Sequence, residues 1–201
     1  MFINSNSITA KEIDGYIITK NGSKLQGEIQ VSYFNYNGSL TIDNINYLRM
    51  YTSIYFKESG AKRFTEYFAD DIDGFSFVHK EGEIFFFSIE LTYKSWGKPK
   101  YRKKFLRLLI NGQLILYDFK SLILFGNNYS EHTNYYISDR SDRILNVSDN
   151  NYQSFEEYLF RELKIEKEFL RNQTCKINIK NLREIIYNYN QWKSKTNVHS
   201  D

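Results

Sequence analysis

Between Gly15 and Val147 apolar and polar residues alternate with a period near two, in short runs separated by turn-forming residues. After Ser154 the apolar positions recur at helical spacing. The first run pair, Tyr16–Thr19 and Leu25–Val31, flanks Asn21-Gly22, a dipeptide that accepts the backbone of a tight hairpin turn. Gly27 inside the return strand predicts a bulge or a close backbone approach. Further strands are expected over Met50–Phe56, Arg63–Tyr67, Gly74–His79 and Ile84–Thr92, with Glu58-Ser59-Gly60 and Lys80–Glu83 as reversals. Ala69–Asp73 reads as one acidic helical turn. Lys104–Ile110 and Gln113–Phe119 flank a second Asn-Gly pair, Asn111-Gly112, and Asn134–Ser138 and Arg143–Val147 complete the strands.

In the C-terminal quarter, Ser154 followed by Glu157 has the form of a capping box, which satisfies backbone N–H groups at a helix start. Phe155, Tyr158, Leu159, Leu163 and Ile165 form the apolar face of that helix. A second helix is expected from about Ile179 to Trp192, with Leu182, Ile185, Ile186 and Tyr189 on one face. The pattern predicts an α+β protein: an antiparallel, partly closed meander sheet, barrel-like or sandwich, of about eight to ten strands. Two or three C-terminal helices cover it. The expected divisions are an extension (1–14), a β-rich domain (15–148), a helical segment (149–195) and a tail (196–201).

Composition narrows this picture. At 201 residues the chain can bury roughly 70% of its unfolded surface. Aromatics at 17% and a single proline oppose disorder and favour strands. One cysteine, Cys175, excludes an internal disulfide and cysteine-based zinc; in its polar stretch nothing nearby in sequence except Lys176 would lower its pKa, so an inert thiol is expected. The net charge of +3 does not by itself imply nucleic acid. No apolar run is long enough to span a bilayer as a helix. Met1–Ala10 has neither the basic start nor the apolar centre of a signal peptide, so a chain that stays inside the cell, or a mature form, is expected.

Several stretches together resemble a family of uncharacterised exported β-rich proteins of Bacteroidota-type bacteria. They are the Gly15–Ile29 hairpin (GYI-x-T-x-x-G-x-x-x-x-G-x-I), Asp71-Ile72-Asp73-Gly74-Phe75, Phe105–Tyr117, Tyr135-Tyr136-Ile137 and a terminal helix closing with Tyr189-Asn190. The resemblance implies a sheet-then-helix order and a periplasmic or cell-surface location. It brings no catalytic residue, and Arg171–Cys175 stands where members of the family often carry a Cys-Pro pair.

Candidate chemistry is sparse. Asp70, Asp71 and Asp73 could hold a hard cation, but they lack the distal Glu and alternate spacing of a calcium loop. His79, His132 and His199 lack the spacing of a zinc site, and neither a nucleophile elbow nor a phosphate loop occurs. No catalytic, cofactor or metal residue is assigned. Trp192 with Tyr187 and Tyr189 has the look of a stacking platform, though such rings more often dock a helix on a sheet. The one surface feature that points to a ligand is a basic run without an acid: Lys94, Lys98, Lys100, Arg102, Lys103, Lys104 and Arg107, interleaved with Tyr93, Trp96, Tyr101 and Phe105. Charge plus stacking rings suits single-stranded nucleic acid. The plainer reading is a solvated connection around Gly97-Lys98-Pro99. The leading expectation is a non-catalytic interaction module, exported or envelope-associated as the resemblance implies, with an unknown protein or glycan partner. A cytosolic polyanion or nucleic-acid binder using the basic stretch 93–107 is the alternative, and a hydrolase assembled from distant residues comes last. Oligomeric state leaves no mark on the sequence.

Overall fold

A computed structural model describes residues 10–32, 45–80, 82–95, 98–126, 128–141, 143–147 and 153–197. Ten strands run β1 (Ala10–Thr19), β2 (Lys24–Ser32), β3 (Ser53–Glu58), β4 (Thr65–Phe68), β5 (Ile72–His79), β6 (Gly82–Ser95), β7 (Lys98–Ile110), β8 (Ile115–Phe125), β9 (Asn128–Ser138) and β10 (Ile144–Asn146). Helices α1 (Phe155–Glu162), α2 (Lys167–Arg171) and α3 (Leu182–Asn197) follow. The strands form one antiparallel sheet in the order β10-β9-β8-β7-β6-β5-β1-β2-β3-β4, not closed into a barrel. The α+β class with its C-terminal helices is the one the hydrophobic pattern predicts. The chain divides into two compact units, Met1–Arg107 and Leu108–Asp201.

In the first unit the order is not a simple meander, because β5 pairs with β1 rather than with β4. Four inter-strand steps separate β4 from β5, roughly 19 Å at the usual spacing. Only Ala69, Asp70 and Asp71 connect them, closed as a turn by Asp71 N–H donating to Phe68 O at 2.9 Å. The ends of such a turn lie within about 7 Å, so strands β1 to β5 must curl until β4 returns close to β5. Gly15 and Gly27 face each other across β1 and β2. A Cβ on Gly15 would sit 2.4 Å from Ser76 O, and one on Gly27 would sit 2.2 Å from Lys57 O. Gly27 therefore marks a close approach, and its pairing with Gly15 lies in unbroken register. Inside the curl Phe75 stacks on Phe86 at 4.6 Å and meets Phe105 edge-on at 5.0 Å, with all three rings fully buried.

In the acidic stretch 69–73, Ala69–Asp71 form a turn and not a helical turn, and Ile72 and Asp73 open β5. Asp71 accepts the Phe68 amide through its side chain at 2.8 Å. The end of β1 supplies a cation: Lys20 Nζ donates to Ala69 O (3.3 Å), Ile72 O (2.9 Å) and Asp73 Oδ1 (3.0 Å). Lys20 thus pairs with Asp73, while the Asp71 carboxylate is taken up by the Phe68 amide.

The second unit buries its sheet differently. Leu114, Leu116, Ile137 and Val147 pack under Tyr158, Leu159, Leu163, Ile165, Phe169, Leu170, Leu182, Ile185, Ile186 and Tyr189. Ser154 caps α1 by accepting the Glu157 amide at 3.0 Å. The helix stops at Glu162, and Lys164 then takes a left-handed backbone (φ 56°) that lets Ile165 N–H return to Leu159 O. The apolar spacing up to Ile165 is thus a helix plus its C-terminal cap. Asn178 caps the 3₁₀ turn that leads into α3. Tyr189 and Trp192 pack on Phe169, while Tyr187 is exposed on another side of α3. This ring cluster fastens helices and presents no platform.

Candidate polyanion-binding surface

The basic run does not lie in a loop. Ser95 pairs with Lys98, Lys94 with Pro99, Tyr93 with Lys100, Thr92 with Tyr101, Leu91 with Arg102, Glu90 with Lys103 and Ile89 with Lys104. A long β6–β7 hairpin therefore carries it, and the connection shrinks to Trp96 and Gly97, which lie outside the described residues. Proline is tolerated at the second position of a strand, where a missing donor costs little.

Because side chains alternate across a strand, the register splits the run in two. Lys98, Lys100, Arg102 and Lys104 share one face of β7, alongside Tyr93, Leu91 and Ile89 of β6. Successive cations on that face are about 6.7 Å apart along the strand. Tyr101, Lys103, Phe105 and Arg107 point to the other face, where Lys103 lies opposite Glu90 and Arg107 packs 4.7 Å from the Tyr47 ring. Lys94 is paired with Pro99 through its backbone, and its side chain lies outside the described residues. The basic run is thus two surfaces, and only one of them is a row.

Residues 98–102 are exposed, and burial increases toward Leu106. Within the paired span of the hairpin, 86–95 with 98–107, no acid stands on the cationic face, and no ion pair of Lys98, Lys100, Arg102 or Lys104 occurs among the described residues. Arg102 lies 4.9 Å over the ring of Tyr93, a cation stacked on an aromatic face. Lys104 is half-buried. Desolvation by burial pushes its pKa down, and repulsion from Arg102 adds to this. Among the described residues no ion pair offsets the hydration this cation has lost.

Other candidates are already occupied or scattered. His132 Nε2 meets Asn134 Oδ1 at 3.2 Å, His79 ends β5, and His199 lies outside the described residues. No group of three or more His, Cys, Asp or Glu placed to hold a metal occurs among the described residues. Burial, and then the neighbouring Glu184, raise the Cys175 pKa, the direction that disfavours a thiolate. Among the described residues no helix is long and apolar enough to cross a membrane. Compared with known proteins, the chain matches no family model, no curated protein and no solved structure.

Proposed function

We propose that this protein is a non-catalytic binding module that holds a linear polyanion along one face of β7. The observation that carries the reading is the row Lys98, Lys100, Arg102 and Lys104 on a single strand face without an acid beside it on the hairpin. A regular strand holds its side chains at fixed intervals, so the row loses less entropy on binding than four lysines on a flexible loop would. An anion over Lys104 also supplies a counter-charge to its half-buried ammonium. An envelope location, which the family resemblance implies, would go with an anionic glycan as ligand; fractionation of the native host tests that location.

The test is retention and affinity as a function of salt, using heparin and oligo-dT as probes. With four cations engaged, log K against log salt should fall with a slope of about −3 on a single-stranded probe. Lys98→Gln with Lys100→Gln should bring that slope to about −1.5. A slope near zero for the unaltered protein would end the reading.

A further inference from the structure

The geometry points to single-stranded nucleic acid as the polyanion, an inference that rests on the binding face proposed above. The row is one strand wide. Beside it on β6, Leu91 is buried and Ile89 half-buried, so no second line of cations flanks it on that side. A duplex offers two phosphate lines across a groove, whereas one backbone matches one row.

The Tyr93–Arg102 pair supplies what charge alone does not. It stands in the exposed half of the row, with Tyr93 39% accessible, next to Lys100 on the same face. Bases of any sequence stack on aromatic rings and on guanidinium planes, whereas sulfated sugars are held by charge. A phosphate on Lys98 or Lys100 leaves the adjoining base within reach of this stacked pair, since Tyr93 lies directly opposite Lys100. An anionic lipid surface suits the hairpin less well. Among the described residues of its outer end, Thr92, Tyr93 and 98–102, there is no Leu, Ile, Val or Phe to sink between acyl chains.

Fluorescence anisotropy with labelled oligo-dT, a duplex of equal length, heparin and phosphatidylserine vesicles tests this on the full chain. The unaltered protein should bind oligo-dT more tightly than the duplex or the vesicles. Tyr93→Ala should weaken oligo-dT about tenfold while changing heparin less than about twofold, and Tyr93→Phe should restore the oligo-dT affinity. If Tyr93→Ala leaves oligo-dT unchanged, or if the duplex or the vesicles bind as tightly, the inference is overturned while the polyanion face stands. If neither oligo-dT nor heparin binds, the polyanion face itself falls and the inference with it.

Discussion

The two compact units bury a sheet in opposite ways. The unit up to Arg107 rolls its strands around stacked phenylalanines, and a three-residue β4–β5 turn enforces the curl. The unit from Leu108 lays three helices over β8 to β10 and fills the gap with aliphatic side chains and a few rings. Rolling needs no cover from helices and leaves strand faces turned outward, one of which bears the cations. Covering needs polar groups that tie helix to sheet. Asn190 does this: its Oδ1 accepts from Leu114 N–H and its Nδ2 donates to Leu114 O, both at 2.8 Å and buried.

The largest expected effect lies in the rolled unit. Phe75→Ala should cost about 3–5 kcal/mol, since a ring packed between Phe86 and Phe105 leaves a cavity the curled strands cannot collapse. Denaturant unfolding measures it, and a cost under about 1 kcal/mol would mean the rings are not that unit's core.

Next is the helix pin. Asn190→Ala leaves the Leu114 N–H and C=O buried without partners, a loss of about 2–4 kcal/mol. Gly112 supports the same contact, because a Cβ there would lie 2.3 Å from Asn190 Nδ2. Gly112→Ala should therefore destabilise the natural chain but cost much less once Asn190 is Ala. A double-mutant cycle reads that coupling, and strict additivity would disconnect the turn from α3.

The smallest effect is electrostatic and belongs to the rolled unit. Lys57 bridges Glu28 and Glu12. The hydrogen bond from Lys57, chiefly, holds the Glu28 carboxyl below its usual 4.5. A depressed carboxyl stabilises the fold above the unfolded value and loses that contribution as pH falls through the folded one, so the effect lies below about pH 4.5. Urea midpoints between about pH 3 and 5 should decline less steeply in Lys57→Met, and parallel curves would assign the pair no role.

Legibility in the sequence followed the range of the forces involved. Asn21-Gly22 was readable because its turn is local, with Gly22 at φ 81°. Asn111-Gly112 marks the β7–β8 connection for a different reason. Its glycine avoids left-handed backbone and instead clears space for Asn190, which is distant in the chain. The acidic turn at 69–71 looks helical from composition because its organiser, Lys20, lies some fifty residues away. For the candidate surface, the residue types were readable but their division between faces was not. Gly97 and Pro99 suggest a loop, and a loop has no faces. Once Lys98 and Pro99 are paired into β7, parity alone separates Lys103 and Arg107 from the row.

The most direct measurement compares two variants of equal charge. Lys98→Gln with Lys100→Gln removes two cations from the row, while Lys62→Gln with Lys103→Gln removes two from elsewhere on the same unit. At fixed salt the first pair should lose at least about tenfold in oligo-dT affinity and the second less than about threefold. Equal losses would show that net charge, and not the ordered face of β7, does the binding.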